Sequence, residues 1–324
     1  MSNSAFGKGV FFAAMSFAAW GVLPLYWRLL VAIDPMHILA LRILGCLILV
    51  AIILTVLKNF AWLSVFKDPK KAGIFVVTAI TLSANWGIYI WAVNHDHAIE
   101  ASLGYYINPL VSIVLGLLFN RERLLPLQWA AFGLAALGVI ILTALSGTLP
   151  WISIALAVTF GLYGLLKKKV PLPALESLGA ETLAAAPVAL FLLFFRFETT
   201  AGEPSGVIFG WQNISYIPAL PVHTLIVLAF CGAVSAIPLY FFAKGAKLLP
   251  LSTLGFTQIL SPTIQFFLGL FVFHEYFPAR HFIAFSIIWF AVILYVISLM
   301  KRSGTPKGVT PKGVTSKGVT PKGP

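Results

Sequence analysis

The amino-acid sequence predicts an all-α polytopic membrane protein with ten transmembrane helices, arranged as two inverted five-helix repeats. Three observations predict this class: the composition, the number of long apolar segments, and a motif that occurs twice. Of the 324 residues, 60% are hydrophobic and 10% are charged, and the mean hydropathy is +0.96. A soluble domain carries about 25% charged residues, so this chain has too little polar surface to fold in water alone.

Ten segments are apolar enough to cross a bilayer, which requires about 20 residues for each helix. The first segment follows Lys8, but it is longer than the apolar part of a signal peptide and has no evident small-residue cleavage site. We therefore expect it to be retained as a membrane span. The predicted spans are residues 8–31, 37–57, 72–93, 101–119, 124–146, 150–166, 174–195, 222–243, 251–273 and 281–300.

Lysine and arginine concentrate in alternate loops between these spans, and loops on the cytoplasmic side of a membrane are enriched in basic residues. The other loops carry only Arg28, Arg196 and Arg280. We therefore expect both termini in the cytoplasm. The net charge of +12 then indicates contact with anionic lipid and not with nucleic acid. The basic side holds Lys8, Lys58, Lys67, Lys70, Lys71, Arg121, Arg123, Lys167, Lys168, Lys169, Lys244, Lys247 and the tail.

The motif SLGYYINPLVSIVLGLLFNRE at residues 102–122 recurs in altered form as TLGFTQILSPTIQFFLGLFVFHE at residues 253–275. This recurrence predicts two copies of one five-helix module, residues 1–148 and 149–300. Because each copy has an odd number of spans, the second copy enters the membrane in the opposite direction. Inverted repeats of this kind are typical of secondary transporters, with the substrate site between the halves. Pairs with one constant spacing are Pro109 and Pro262, Gly116 and Gly269, and Glu122 and Glu275.

The segment after the tenth span differs in composition from the rest of the chain. From Thr305 it repeats the unit TPKGV four times with small changes, and it has no apolar periodicity. A segment of this kind cannot bury enough apolar surface to offset the entropy lost on ordering. We therefore expect residues 301–324 to form a disordered basic cytoplasmic tail.

The two repeated prolines point to a cavity between the halves. A proline inside a helix leaves a backbone carbonyl free, which in lipid is tolerated only where it faces protein, water or a ligand. Tyr105 shares one helix face with Pro109, and Gln258 and Gln265 share one with Pro262. The alternative is interhelical packing through small residues and amide hydrogen bonds. The predicted substrate-binding residues are Trp20, Arg42, Asn85, Tyr89, Tyr105, Asn108, Tyr163, Tyr240, Gln258 and Gln265.

Charged residues inside predicted spans mark functional sites by default, because a charge in lipid is costly. The alternative for Arg42 is that its long side chain reaches the membrane surface. Glu181 lies in span seven, and its alternative is an ion pair with Lys167–Lys169. Glu100 opens span four, where it either caps the helix N-terminus or carries protons from the outside water. Glu100 and Glu181 are the predicted proton-coupling residues.

Two further acidic positions close spans four and nine. The interpretation we favour for Glu122 and Glu275 is structural, with each carboxylate bonding a neighbouring loop or helix terminus. The alternative is that they act as latches on the two gates of a transporter. The loop with His95-Asp96-His97 has no partner cluster, so we predict no metal site there.

The sequence lacks the motifs of nucleotide-driven pumps and soluble enzymes. It contains no phosphate-binding P-loop and no His-Glu-x-x-His metal motif, so we expect neither ATP-driven transport nor an enzyme. Cys46 and Cys231 are isolated in two different spans, which excludes a disulfide framework and a cysteine metal site. We expect no cofactor.

The stretch AVNHDHAIEASLGYYINPLVSIVLGLLFNRERLLPLQW, residues 92–129, closely resembles the RarD group of the drug/metabolite transporter superfamily, whose modules are called EamA domains. LSTLGFTQILSPT at 251–263, PLYW at 24–27 and LALRIL at 39–44 also fit this group. The resemblance covers about residues 8–300. It implies ten helices, cytoplasmic termini and a central cavity formed by spans one, three, four, six, eight and nine.

The sequence departs from that group at two positions. The glutamates that close spans four and nine usually follow glycine, whereas Arg121 and His274 precede them here. The expected function is secondary transport of small organic metabolites, amino acids or similar amphipathic solutes, across the bacterial inner membrane by alternating access. The expected partners are a small-molecule substrate, the lipid bilayer and protons as the coupling ion. The alternatives are a facilitated-diffusion channel or drug permeation path without ion coupling, and a non-transporting scaffold.

Overall fold

The computed structural model describes residues 3–94, 97–146, 151–200, 203–210, 214–274 and 279–303. Within these residues the chain folds into eleven α-helices, and nine spans are long and apolar enough to cross a membrane, with Leu103–Phe119 as a shorter tenth. This confirms the predicted class of polytopic helical membrane protein. The helices are α1 (Asn3–Trp27), α2 (Pro35–Val56), α3 (Pro69–Asn94), α4 (Ala98–Phe119), α5 (Pro126–Ser146), α6 (Trp151–Lys169), α7 (Ala174–Phe194), α8 (Val222–Leu248), α9 (Leu251–Gln258), α10 (Leu260–Phe271) and α11 (Ala279–Ser303).

The structure differs from the sequence prediction in three places. The predicted ninth span is two helices, because the chain breaks at Ile259 between α9 and α10. Helix α6 extends to Lys169, so Lys167–Lys169 belong to its last turn and not to a loop. An antiparallel hairpin of β1 (Phe195–Thr200) and β2 (Glu203–Phe209) follows α7 directly, which adds strands to a chain predicted to be all-α.

The ends of several helices are set by local signals in the sequence. Asp34 caps α2 by accepting a 2.8 Å hydrogen bond from the Met36 backbone N–H. At the end of α4, Arg121 has a φ of 51°, and His274 beyond α10 has a φ of 54°. This left-handed backbone costs a residue with a side chain roughly 1–2 kcal/mol and favours glycine. Equivalent positions of the two motif copies therefore share one unusual backbone conformation.

The contacts between helices fall into pairs that relate the first five spans to the last five. If the spans of the two halves correspond in order, α1, α2 and α3 are equivalent to α6, α7 and α8. The contact of α1 with α8 is then equivalent to that of α6 with α3, and the contact of α2 with α8 is equivalent to that of α7 with α3. In the same way, α4 is equivalent to the α9–α10 pair, and the contact of α4 with α6 is equivalent to that of α10 with α1. The α2–α7, α5–α11 and α4–α9 contacts join equivalent spans to each other. This pairing is what two inverted copies would produce, although the division at residue 148 remains a prediction.

One crossing brings two backbones into direct contact. Helices α2 and α8 meet at Gly45 and Gly232, and a Cβ atom built on Gly232 would lie 2.2 Å from the carbonyl carbon of Gly45. No side chain fits in that space, since the backbones themselves fill it. Small residues permit this close approach between helices in a membrane.

The loops of the bundle lie on two faces. We call the face with the α2–α3, α4–α5, α6–α7 and α8–α9 connections the basic face, and the other the opposite face. Asn59 donates a 2.8 Å hydrogen bond to Glu176, and the Lys247 ammonium donates to the Leu172 carbonyl, so these connections are packed together. Large apolar side chains such as Phe11, at 58% exposure, lie around the outside of the bundle, as expected for contact with lipid.

Candidate substrate cavity

A cavity of about 770 Å³ lies at the centre of the bundle, between α1, α2, α3, α4, α6 and the α9–α10 pair. Its volume is in the range of small-molecule sites, which are usually about 300–1,000 Å³. The cavity begins at the opposite face beside Arg28 and Val31, and Val31 is 85% exposed there. It ends at mid-depth beside Phe17 and Phe160, because aromatic side chains fill the bundle beyond them.

The deepest charged group on the cavity wall is the guanidinium of Arg42 in α2. Its Cζ atom lies 4.5 Å from the ring centroid of Trp27 and 4.3 Å from that of Trp86, so two indole faces hold it. Its Nε donates a 2.9 Å hydrogen bond to the Ser235 hydroxyl of α8. Each indole face attracts a cation. Arg42 therefore faces the cavity and does not extend to the membrane surface.

Amide side chains line the wall at positions fixed by bonds to neighbouring helices. Asn85 donates to the Leu156 carbonyl at 2.8 Å and thereby joins α3 to α6. Gln265 donates to the Trp20 carbonyl at 3.2 Å and joins α10 to α1. Gln258 donates to the Ser112 hydroxyl at 3.1 Å, so the helix face that contains Pro109 partly serves interhelical packing as well.

Eight of the ten predicted substrate-binding residues line this cavity, and Tyr163 and Tyr240 do not. Tyr163 is fully buried, and its ring stacks on Phe242 at 5.4 Å. Tyr240 lies under the ammonium of Lys244, with 4.6 Å between the nitrogen and the ring centroid. The lining residues from the predicted set are Trp20, Arg42, Asn85, Tyr89, Tyr105, Asn108, Gln258 and Gln265.

Several lining residues were missing from the predicted set. Trp27 follows Trp20 by seven residues and therefore lies on the same face of α1, so its spacing from Trp20 is a signal that could have found it. Trp86 adjoins Asn85 and precedes Tyr89 by three residues, so a search for aromatic residues beside the polar face would have found it. Phe160 takes the position on α6 that had been assigned to Tyr163.

An aromatic layer separates the cavity from the basic face. Phe17 packs edge-on against Phe242 with 5.9 Å between ring centroids, and Trp20 packs edge-on against Phe160 at 5.8 Å. Tyr163 lies beyond this layer and stacks on Phe242. These rings come from α1, α6 and α8, so the layer closes only while the three helices stay together.

A buried ion pair lies on the far side of the aromatic layer. The Lys167 ammonium of α6 contacts the Glu181 carboxylate of α7, and their side chains are 1% and 2% exposed. The Tyr163 hydroxyl donates a 3.4 Å hydrogen bond to Glu181 Oε2. The other carboxylate oxygen, Oε1, has no hydrogen-bond partner among the described residues. A void of about 20 Å³ between Glu181 and Arg42 has room for one water molecule.

At the basic face itself, Glu122 bridges the two halves of the chain. Its carboxylate accepts hydrogen bonds from the backbone N–H groups of Leu251 at 2.6 Å and Ser252 at 2.9 Å, which open α9. A helix N-terminus attracts a carboxylate through its free N–H groups and its dipole. The ammonium of Lys168 lies 4.0 Å from Glu122 and donates to the Leu249 carbonyl.

Some predicted residues lie outside the part of the chain that the structure describes. These are His95, Asp96, Glu275 and the tail from residue 304, and the backbone of Glu100 is described without its side chain. Within the described residues, no group of three metal-ligating side chains was found.

A helical membrane bundle with a solute-sized cavity that reaches one face and is closed toward the other has the form of a transporter. Residues 7–144 match the EamA-like transporter family. The chain is 42% identical over 291 residues to an uncharacterized transporter, YojE, of Bacillus subtilis, covering 88% of this chain and 92% of the relative. It is 41% identical over 280 residues to Protein RarD of Streptomyces exfoliatus, covering 86% and 85%.

Protein RarD of Escherichia coli is 34% identical over 280 residues, covering 86% of this chain and 90% of that protein. The chain therefore belongs to the RarD-type transporters of the drug/metabolite transporter superfamily, which confirms the resemblance found in the sequence. One crystal structure aligns with 94% of this chain over 100% of its own chain, with a TM-score of 0.65 and 21% sequence identity. This similarity shows that the two proteins share a fold.

Proposed function

We propose that this protein is a secondary transporter that moves small organic metabolites, amino acids or similar amphipathic solutes, across the bacterial inner membrane by alternating access. The observation that carries this proposal is the central cavity, which reaches the opposite face but is closed toward the basic face. A channel would need a path open at both ends. A cavity with a single opening is what one state of an alternating-access cycle requires.

The closure toward the basic face has three layers. The aromatic layer of Phe17 and Phe242 comes first, the ion pair of Lys167 and Glu181 second, and the Glu122 bridge to α9 third. The aromatic layer and the Glu122 bridge join a helix of the first five spans to a helix of the last five. Rocking one half against the other would therefore open this face, and the inverted repeat would supply an equivalent closure at the opposite face.

The orientation belongs to the same proposal. The loops and helix ends at the basic face carry most of the lysines and arginines, and an excess of basic residues favours the cytoplasmic side. The described state is then open to the outside, with both termini in the cytoplasm. Because the sequence has no nucleotide-binding motif, we propose that an ion gradient, carried by protons, or the gradient of the substrate drives transport.

Counterflow in liposomes tests this function. Purified full-length protein is reconstituted with an unlabelled solute inside, and uptake of the labelled solute is followed at zero ion gradient. A thermal-shift screen against metabolites selects the solutes. Transient accumulation above equilibrium, saturable in solute, is the expected result, because one carrier site exchanges its occupants. Passive equilibration without overshoot would contradict alternating access, and absence of flux would leave only a scaffold.

A further inference from the structure

Among the residues that the structure describes, the charges on the cavity wall are of one sign. Among the described residues that line the cavity, Arg28 and Arg42 are charged, and none is an aspartate or glutamate. Arg28 lies at the mouth, where its Cζ is 4.7 Å from the centroid of the Phe273 ring. Arg42 lies deeper, between Trp27 and Trp86. A solute that enters therefore passes one cation and reaches a second.

Arg42 has no counter-anion in the part of the chain that the structure describes. No carboxylate lies within ion-pair distance of it there, and Ser235 is its hydrogen-bond partner. The nearest buried carboxylate, Glu181, lies across the small void and contacts Lys167 instead. A guanidinium carries five N–H donors. Most of the donor capacity of Arg42 therefore remains for a ligand.

A half-buried cation that is held only by aromatic faces and one hydroxyl is an incomplete site. Removing a charge from water is costly unless an opposite charge or several hydrogen bonds replace the water. The cavity is lined mainly by apolar and aromatic residues, which weakens screening and strengthens the field of both arginines. An anion is stabilised in this field, whereas an ammonium group is repelled.

The uncharged acceptors near the cavity do not compensate an ammonium group. Asn108 and Gln258 each have an amide oxygen without a hydrogen-bond partner among the described residues, but both oxygens are enclosed by protein. An ammonium group in the cavity would thus meet two arginines without a facing carboxylate among the described side chains. A bound zwitterion is stabilised through its carboxylate and destabilised through its ammonium group.

We propose that this cavity selects organic solutes that are net anionic, with a carboxylate bound by Arg42 and an apolar body packed beside Trp27 and Trp86. Arg28 attracts the anion at the mouth. The fork of a guanidinium matches the two oxygens of one carboxylate, which favours this anion among others. The inference rests on the proposed transport function and narrows its substrate class, from amino acids and similar amphipathic solutes to carboxylates that lack a positive charge, so zwitterionic amino acids are disfavoured.

Three probes of one shape but different charge test the selectivity. They are 3-phenylpropionate as the anion, phenylalanine as the zwitterion and 2-phenylethylamine as the cation. Binding to the purified full-length protein in detergent is measured by tryptophan fluorescence, since Trp20, Trp27 and Trp86 line the cavity, and by thermal shift. The anion is expected to bind at least about tenfold more tightly than the zwitterion, as for one hydrogen-bonded charge, with the cation weakest.

Substitutions of Arg42 test whether this side chain causes the preference for the anion. Arg42→Gln should remove the preference for the anion, and Arg42→Lys should retain part of it, because an ammonium keeps the charge but loses the fork. Arg123→Gln is the matched control, since it removes one charge from an exposed position on the basic face and should leave the order unchanged. Equal or tighter binding of phenylalanine, no binding of the anion, or an unaltered order in Arg42→Gln would each overturn the inference.

The proposed substrate class and the proposed transport function are tested by different experiments. Binding without counterflow of any bound solute in liposomes would refute transport and leave the charge selectivity intact. Counterflow of zwitterions at the same rate as anions would leave transport intact and refute the charge selectivity.

Discussion

The carboxylate of Glu122, just after α4, accepts a 2.9 Å hydrogen bond from the backbone N–H of Ser252, at the start of α9. The two residues belong to different halves of the chain. With the neighbouring Leu251 N–H bound as well, one side chain satisfies two of the free donors at the start of α9. In the proposed cycle this bond forms when the basic face closes and breaks when it opens.

Replacing Glu122 with glutamine should shift the protein toward the state that is open at the basic face. The amide keeps the shape of the side chain but loses its charge, which costs the α9 cap about 1 kcal/mol. Accessibility can be measured with a single cysteine at Ser112, which is buried between cavity and basic face, in a background without Cys46 and Cys231. Thiol labelling from the basic side should become several-fold faster.

Asp68→Asn is the control for this experiment. Asp68 also caps a helix, accepting from the Lys70 N–H at 3.0 Å, but it lies within one half of the chain. Its replacement should leave labelling of the Ser112→Cys site unchanged. If Glu122→Gln and Asp68→Asn label at the same rate as the parent, Glu122 is a structural cap and not a latch.

Much of the fold was predictable because membrane spans are a local property of the sequence. Length and apolarity define them, and the repeated motif with Pro109 and Pro262 relates the halves. The rotation of each helix is not local. On α6 the sequence offers Phe160 and Tyr163 as similar aromatic residues, and packing against α8 decides which one faces the cavity.

The environment of Arg42 was also beyond prediction from sequence. Its partners Trp27, Trp86 and Ser235 come from three other helices, and no spacing links them. The hairpin after α7 did have a signal, since FRFETT at residues 195–200 alternates apolar and polar residues at its start. That signal was missed because the segment continues an apolar span without a break.

The crossing of α2 and α8 predicts a strong effect of a single methyl group. Gly232→Ala should destabilise the protein by about 1–3 kcal/mol or more, because the new Cβ would overlap the backbone of Gly45 and force the helices apart. Thermal unfolding of the purified protein in detergent measures the effect. Gly133→Ala is the control, since no atom lies within 4 Å of its added Cβ. A similar melting temperature for both variants would refute this close approach.

The proposed orientation of the chain rests on the basic residues of one face and can be tested in intact cells. In a background without Cys46 and Cys231, we expect a membrane-impermeant maleimide to label Val31→Cys but not Lys70→Cys. Val31 is exposed at the opposite face, and Lys70 is exposed at the basic face. Lysis of the cells should make both positions reactive, which controls for accessibility. The reverse pattern would invert the proposed topology.

The buried ion pair predicts an asymmetric response to substitution. Lys167→Met should destabilise the protein by about 3–5 kcal/mol, since it leaves the Glu181 carboxylate buried without a cation. The double variant Lys167→Met with Glu181→Leu should recover most of this loss, because neither charge remains. The exposed pair of Lys71 and Asp68, at 3.4 Å, is the control, and Lys71→Met should have little effect. Equal losses in the single and double variants would show that charge compensation is not the cause.

The proposed proton coupling requires a group that changes charge during the cycle and exchanges protons with both water and the cavity. One carboxylate oxygen of Glu181 contacts Lys167, and the side chain faces Arg42 across a void with room for one water molecule. Glu181 is therefore placed to exchange one cationic partner for the other as the halves move. Glu100 lies in the first turn of α4, at the opposite face, which the proposed orientation places toward the outside water. These two glutamates are the predicted carriers.

Glu→Gln variants of the two residues separate coupling from binding. A glutamine at the coupling position cannot exchange a proton, so uptake driven by a pH gradient in liposomes should be lost. Exchange of labelled for unlabelled solute should persist, since exchange needs no net proton movement. Glu176→Gln is the control, because Glu176 pairs with Asn59 at the basic face, away from the cavity. A full response to the pH gradient in both Glu100→Gln and Glu181→Gln would make these residues structural and would favour facilitated diffusion down the gradient of the substrate.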